Sequence, residues 1–416
     1  MQMQKLALLI GLCLGAIGAA CGTSDTPPTT LPPVMAGAPG TAGASPGTAG
    51  ASPGTAGAPG TAGAPASAGA SSAGAPGTAG ASGAAGAAPA GGGASGAAGA
   101  APAGGGSGPV LSDGCGKDLP ALVTTGKWSE MANQDAKAGR PAPMMVPCTV
   151  DPAGKAIPPC VNGMTRRGYY VYVKAGYDKT KPSKVIYEGA GCADTSDAHG
   201  ATAGYPYQDV DSNSDMQVIQ VGLSYSRNDN CYDNTTPQSN DFQFFPLLHK
   251  AIEDQFCVDK TKQYWSGYST GAWVGNQFTC AFPDVLRGVV FATGNEPMQQ
   301  PTCKSGFPVA GLFLHDDNDT YNPGVNMVPG CSRLLKQNGC TQQTCDFANA
   351  NVSTPYALPA GLTGQPTSLK CVQFNGCPAT APVVWCRTTL AGGDQSHYIG
   401  AGPWVTNLLW DFINKH

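Results

Sequence analysis

A serine nucleophile is suggested by the segment Gly267-Tyr268-Ser269-Thr270-Gly271, which fits the pattern G-x-S-x-G. A short apolar run, Tyr264-Trp265, precedes the motif, and a helical pattern from Thr270 to Phe282 follows it. In such a strand–turn–helix the serine lies on a tight, strained turn, and the helix N-terminus favours developing negative charge. The glycines on either side have no side chain, so neighbouring segments of the backbone can pass close to the turn. The motif predicts Ser269 as the nucleophile of an acyl-transfer reaction.

A serine nucleophile needs a base, and the order serine, acid, histidine fits only one histidine in this chain. The histidines are His199, His249, His315, His397 and His416. Only His397 follows both the motif and a group of acids without being the terminal residue. It stands in the polar segment 392–398, which is typical of a loop after a strand. We therefore expect His397 to be the base.

The acid should follow the buried apolar run Val309 to Leu314, where three carboxylates crowd one loop. Asp316, Asp317 and Asp319 all lie between the serine and the histidine. The required acid accepts a hydrogen bond from the imidazole and fixes its tautomer. Spacing alone does not choose among the three, and a calcium-like acidic loop or a solvated turn is the alternative.

Two backbone N–H groups should stabilise an oxyanion. One is expected from Thr270, directly after the nucleophile. The other is expected from the glycine-rich segment Glu188 to Cys192, where Ala190 and Gly191 are equal candidates. The alternative is an ordinary strand-to-helix turn.

Aromatic residues near these segments are candidates for an acyl pocket. Tyr268 stands beside the nucleophile, and Trp385 and Trp404 flank the segment that carries His397. We expect Tyr268 and Trp404 to contact substrate, although aromatic residues of this kind belong to a core more often than to a pocket.

The elements that must position these residues alternate between strands and helices, which predicts a mainly parallel sheet covered on both faces. Tyr169–Val173 alternates in the way of an edge strand. Helices are expected over Asp241–Phe256, Thr270–Phe282, Ser332–Asn338 and from about Pro403 onward. The strands are expected at 169–173, 184–187, 217–221, 264–265, 289–292, 309–314 and 383–386.

The N-terminal quarter of the 416-residue chain has a different composition. Residues 1–20 read as an export signal, with Lys5 before the apolar run Leu6–Ala20. Cys21 then follows small residues, as in a bacterial lipobox, and is a candidate lipidation site. Residues 21–108 consist largely of Gly, Ala, Pro, Ser and Thr in short repeats, which predicts a disordered linker before a folded domain at 109–416. The expected location is the cell envelope, through a lipid anchor, or outside the cell.

Cysteine usage supports export independently. Of 16 cysteines, all but Cys13 and Cys21 lie between Cys115 and Cys386, and no C-x-x-C occurs. A dense, even set in an exported chain predicts disulfides, whereas metal binding lacks the repeated ligand spacing. Because Cys257 and Cys280 flank the elbow strand and helix, we expect them to be bridged. The net charge of −4 and the lack of a basic patch argue against nucleic acid as a partner.

Several short motifs together resemble the secreted feruloyl esterase, acetylxylan esterase and polyhydroxybutyrate depolymerase family. They cover most of residues 111–416. They are the G-C-G-K at 114–117, the strand at 170–177, the D-F-Q-F-F at 241–245, the C-V-D at 257–259, the F-P-D-V at 282–285 and the W-D-F at 410–412.

The resemblance implies an α/β-hydrolase fold and a Ser-His-Asp triad without metal or organic cofactor. The family pattern H-G-x-x-D matches His315 to Asp319 and so implicates Asp319 as the acid, and its G-G-x-H pattern implicates His397. Some positions differ. The chain has Glu188-Gly189 where the family has His-Gly, Asp316 where it has Gly, and Tyr398 where it has Trp.

These features predict an exported serine carboxylesterase. Feruloyl or acetyl esters of plant polysaccharide are the first expectation for its substrate, and polyhydroxyalkanoate is the alternative. A hypothesis of another class is a non-catalytic binding module on the same fold, since folds of this family can lose activity.

Overall fold

The computed structural model describes residues 108–149, 156, 160–192, 217–225, 231–233, 236, 239–294, 301–349, 351–390, 397, 399 and 403–416. Cys21 and the expected signal and linker segments lie outside these residues, apart from residue 108. Within the described residues, no helix is both long and apolar enough to cross a membrane.

A large twisted sheet forms the centre of the described part. Its strands are β1 (Trp128–Ala132), β4 (Tyr169–Val173), β5 (Ser183–Gly189), β6 (Val218–Leu223), β7 (Val258–Tyr268), β8 (Gly288–Ala292), β9 (Ala310–Asp316), β10 (Ser353–Pro355), β11 (Lys370–Phe374) and β12 (Val383–Thr388). Their spatial order is β1-β4-β6-β5-β7-β8-β9-β12-β11-β10. A separate small sheet pairs β2 (Met144–Pro147) with β3 (Met164–Arg167).

The middle of the large sheet is parallel, from β6 through β5, β7, β8 and β9 to β12. Antiparallel strands extend it at both sides, with β4 and β1 at one and β11 and β10 at the other. Helices α1 (Asn240–Gln255), α2 (Thr270–Ala281), α3 (Val328–Gln337) and α4 (Pro403–Lys415) accompany the sheet. This is the α/β-hydrolase fold, and the predicted fold class is confirmed.

Two apolar clusters lie on the two faces of the sheet and explain why helices cover both. On one face, α1, α2 and α3 contribute Phe245, Phe278 and Leu334 to the larger cluster, all at most 1% exposed. On the other, α4 contributes Leu408 and Phe412 at helical spacing. Burial of side chains of this size contributes about 1.5–3 kcal/mol each. The fold therefore places the carboxyl ends of β5, β7 and β9 at one edge of a well-packed sheet.

The expected elements are all present, with some different bounds. Strand β7 spans Val258–Tyr268 and is much longer than the predicted Tyr264-Trp265. The prediction of Tyr169–Val173 as an edge strand is wrong, because β1 pairs with its outer side. Strands β1, β10 and β11 of the large sheet and both strands of the small sheet were not predicted, since their short sequences mix polar and apolar residues without a clear alternation.

Seven disulfides join all fourteen cysteines of the described part. The predicted Cys257–Cys280 bridge is wrong: Cys257 pairs with Cys115, and Cys280 pairs with Cys303. The reason is the segment around Ser112, at the beginning of the folded part, which lies against the start of β7. There the Ser112 hydroxyl donates to Phe256 O at 2.7 Å and accepts from Val258 N–H at 2.9 Å. This segment brings Cys115 to Cys257 from 142 residues away.

We expect thiol titration of the denatured, unreduced chain to find at most the two cysteines outside the described part, Cys13 and Cys21. All cysteines from Cys115 to Cys386 are bridged, so reduction should release fourteen further thiols. Finding three or more free thiols before reduction would contradict the pairing.

Candidate active site

Ser269 stands on a strained turn between β7 and α2. Its backbone lies in the left-handed region, with φ 49° and ψ −119°, a conformation that costs a non-glycine residue about 1–3 kcal/mol. Hydrogen bonds hold it there. The Ser269 N–H donates to Ala292 O at 3.0 Å, and its carbonyl accepts from Ala272 N–H at 3.0 Å and from Trp273 N–H at 3.1 Å. The predicted strand–turn–helix context of the serine is present.

The glycines of the motif are required by close approach of the backbone. A Cβ atom added to Gly271 would lie 2.0 Å from Gly189 O, and one added to Gly267 would lie 2.5 Å from Gly271 O. The turn after β7 therefore packs directly against the end of β5, which carries the second predicted segment of the site.

His397 lies next to the serine. Its Nε2 atom is 3.3 Å from Ser269 Oγ, within hydrogen-bond reach. The Tyr268 hydroxyl donates to the His397 carbonyl at 3.1 Å, and the centroids of the two rings are 5.4 Å apart. The residue before Ser269 thus holds the predicted base in position.

The three carboxylates after β9 have three different partners. Asp319 is buried, and its Oδ2 atom lies 2.9 Å from His397 Nδ1. Asp316 accepts from the Thr388 hydroxyl at 2.6 Å and from Leu390 N–H at 2.8 Å. Asp317 pairs with the half-buried Arg387 at 2.6 Å. The structure thus brings Asp319 alone of the three to the imidazole.

The second carboxylate oxygen of Asp319 also has partners. Its Oδ1 atom accepts the backbone N–H groups of Tyr321 and Asn322, both at 2.9 Å. The Asn322 side chain donates in turn to Thr293 O at 3.0 Å. These bonds fix the carboxylate, so that Oδ2 is held toward the histidine.

The two candidate sources of oxyanion donors meet at the serine. Thr270 is the first residue of α2, while the next amide, Gly271 N–H, donates to Ala190 O at 3.0 Å. Burial raises the pKa of the Tyr232 phenol well above its ordinary value, and a hydrogen bond from the Ala190 N–H acts in the opposite direction. A Cβ atom added to Gly191 would lie 3.2 Å from Ser269 Cβ. This geometry favours Gly191 over Ala190.

The segment that contains Gly191 is tied to its surroundings. A disulfide joins Cys192 to Cys231, and the Tyr225 hydroxyl donates to Gly191 O in a short hydrogen bond. The Tyr232 hydroxyl donates to Leu223 O at 2.8 Å. Donors intended for a transition state need such fixed positions.

Glu188, which replaces the histidine of the family pattern, is a buried carboxyl at the end of β5. It is 2% exposed, and neither of its oxygens has a hydrogen-bond partner among the described residues. Burial raises the pKa of Glu188 well above its ordinary value. In the sheet Glu188 lies beside Ser266 of β7, beneath the nucleophile turn.

The predicted acyl-pocket residues are core residues in large part. Tyr268, Trp385 and Trp404 are each at most 4% exposed. Trp404 packs within the cluster under α4, whereas Tyr268 contacts His397. Substrate contact by Tyr268 or Trp404 stays a prediction. Among the described residues, no group of three or more His, Cys, Asp or Glu side chains is arranged to hold a metal ion.

Tyr321 is a residue at the site that the sequence did not single out. Its ring centroid lies 5.3 Å from that of His397, and its side chain is 64% exposed. In the sequence, the only feature that pointed to Tyr321 was its position two residues after Asp319. An aromatic residue at that spacing does not by itself predict a role at the site.

His315, at the end of β9, should make stability depend on pH. Burial lowers the pKa of His315 to about 4, although Asp319 and Asp316 act in the opposite direction. Because the unfolded chain binds the proton near pH 6.5, the free energy of unfolding should fall as pH drops from 6.5 to 4, by at most about 3 kcal/mol from this group. Urea unfolding should show this slope in the wild type and a flatter one in His315→Gln. The same dependence of the free energy of unfolding on pH in the two proteins would contradict this role of His315.

The chain is similar to known esterases. Feruloyl esterase C of Emericella nidulans is 25% identical over 259 residues, which are 61% of this chain and 86% of that protein. Probable feruloyl esterase C of Aspergillus terreus is 23% identical over 259 residues, with the same shares. No family model matches the chain. The predicted resemblance to the feruloyl esterases is thus confirmed by curated relatives.

Solved structures of esterases also align with the chain. The acetyl xylan esterase from Aspergillus awamori covers 54% of this chain and 88% of its own, with a TM-score of 0.42 and 15% sequence identity.

Proposed function

We propose that this protein is a serine ester hydrolase that works through a Ser269-His397-Asp319 triad. The observation that carries the proposal is the continuous contact from Ser269 Oγ to His397 Nε2 and from His397 Nδ1 to Asp319 Oδ2, with the serine on a strained turn. The similarity to feruloyl esterases supports an ester-cleaving activity.

The chemistry follows from the contacts. His397 accepts the Ser269 proton as the hydroxyl oxygen attacks the ester carbonyl, and Asp319 stabilises the imidazolium. The developing oxyanion lies at the N-terminus of α2, where the Thr270 and Gly191 N–H groups are the proposed donors. His397 then gives its proton to the leaving alcohol. Water, activated by the same histidine, releases the acid from the serine.

For the substrate we propose feruloyl or acetyl esters of plant polysaccharide. The names of the relatives support this choice over polyhydroxyalkanoate. We also propose that the protein acts outside the cytoplasm, since seven disulfides require an oxidising compartment. Lipidation of Cys21 remains a separate prediction from the sequence.

A fluorophosphonate probe tests the proposed mechanism, and a substrate panel tests the specificity. We expect the probe to label the folded chain at Ser269 and to label neither heat-denatured protein nor the Ser269→Ala variant. The panel consists of p-nitrophenyl acetate, methyl ferulate, acetylated xylan and a hydroxyalkanoate film. A folded chain that neither reacts with the probe nor cleaves any ester would instead support a non-catalytic binding module.

A further inference from the structure

The most exposed large apolar side chains of the described part lie just after the proposed triad acid. Val325 is 71% exposed and Tyr321 is 64% exposed, more than any other large apolar residue in the described ranges. Scattered exposed apolar residues are normal in proteins. These two, however, lie within six residues of Asp319, and the ring of Tyr321 contacts His397.

The backbone of Tyr321 is tied to the proposed triad acid. Its backbone N–H donates to Asp319 Oδ1, the carboxylate whose other oxygen contacts His397. The next residue, Asn322, is buried and bonded to both Asp319 and Thr293. An exposed ring on such a fixed backbone is preorganised for binding, because little conformational freedom is lost when a ligand covers it.

The position of Tyr321 identifies the part of the substrate that it would meet. In the proposed mechanism, His397 delivers a proton to the oxygen of the leaving alcohol. The alcohol must therefore come close to Nε2 of His397, whereas the carbonyl oxygen points toward Thr270 and Gly191. Tyr321 is beside the imidazole, so it lies on the alcohol side of the scissile bond.

We propose that Tyr321 forms the subsite for the alcohol part of the ester, which is a sugar in the proposed substrates. The inference rests on the proposed function. A tyrosine ring offers an apolar face for the C–H surface of a sugar and a hydroxyl for its polar groups. An open, exposed ring suits a sugar within a polymer, which must extend from the site on both sides, better than it suits an enclosed acyl chain. Val325 extends the apolar surface along the same segment.

The experiment compares two esters that share the acid and differ in the alcohol: methyl ferulate and feruloyl arabinose. Tyr321→Ala should lower kcat/KM for feruloyl arabinose roughly three- to tenfold, mainly through KM, as expected for the loss of one stacking contact. The loss on methyl ferulate should be smaller, so that the ratio of kcat/KM for feruloyl arabinose to that for methyl ferulate falls at least about twofold. Tyr321→Phe should retain most of the activity on the sugar ester. Leu122→Ala, at another exposed apolar residue, is the matched control and should change neither.

An equal loss on both esters, with a shifted pH profile, would show that Tyr321 only positions His397 and would overturn the sugar subsite. No loss on either ester would overturn it too, as would a wild-type chain that cleaves methyl ferulate but not feruloyl arabinose. A loss confined to hydroxybutyrate oligomers would assign the subsite to a polyester instead. The proposed function fails separately, through a wild-type chain that cleaves no ester.

Discussion

Ser269→Ala should abolish ester hydrolysis and leave the protein folded. The variant removes the atom that attacks the carbonyl in the proposed mechanism, and losses of roughly 10⁴–10⁶-fold in turnover are typical for such a change. Stability should hardly change, because alanine and serine are similarly strained at φ 49°. The measurements are kcat on methyl ferulate and p-nitrophenyl acetate, together with the melting temperature.

Ser269→Gly is the informative companion. Glycine adopts the left-handed region without penalty, so this variant should be equally inactive but more stable than Ser269→Ala, by about 1 kcal/mol. The pair separates the cost of the strained turn from the chemistry of the hydroxyl. Turnover in either variant close to that of the wild type would refute Ser269 as the nucleophile.

Asp319→Asn should cost roughly 10⁴-fold in turnover if the triad template holds. The asparagine carbonyl can replace Oδ1 and keep the N–H bonds from Tyr321 and Asn322. Its amide nitrogen would then face His397 Nδ1 and donate to it. The imidazole would carry its proton on Nε2 and could no longer accept the proton of Ser269.

Asp317→Asn is the matched control, because it removes the same charge from the same loop. Asp317 pairs with Arg387 where both side chains are about one-third exposed, so the pair contributes about 0–1 kcal/mol. We expect kcat to change little. A large loss of turnover in Asp317→Asn, with a small loss in Asp319→Asn, would contradict Asp319 as the triad acid. The proposal of an esterase would survive that result.

The parts of the site that depend on a local sequence pattern could be predicted from the sequence. Ser269 follows from its five-residue motif and His397 from chain order, and the structure brings both together. The choice of Asp319 needed a family pattern, since Asp316 and Asp317 have the same chemistry and differ only in their partners. The apparent edge strand at Tyr169 could not be corrected from the sequence, because the pairing of β1 depends on contacts about 40 residues away.

Side-chain environment was equally hidden from the sequence. The residue type of Glu188 suggests a solvated carboxylate, yet its side chain is buried, and burial raises its pKa well above the ordinary value. The exposure of Tyr321 depends on how the loop after β9 folds back toward His397. The bridge from Cys257 depends on a segment 142 residues earlier in the chain.

The pattern of disulfides has a consequence for how the protein must be made. Of the seven bonds, three join cysteines that are neighbours in chain order: Cys148–Cys160, Cys192–Cys231 and Cys280–Cys303. In each of the other four bonds, at least one cysteine lies between the two partners in the sequence. Four cysteines lie between Cys115 and its partner Cys257. If thiols oxidise as the chain leaves the translocation pore, Cys115 meets Cys148 first and forms a wrong bond. Productive biosynthesis by that route requires thiol–disulfide exchange, which takes seconds to hours and is set by the isomerases of the host compartment. Heterologous yield should follow isomerase supply more closely than it follows the rate of translation.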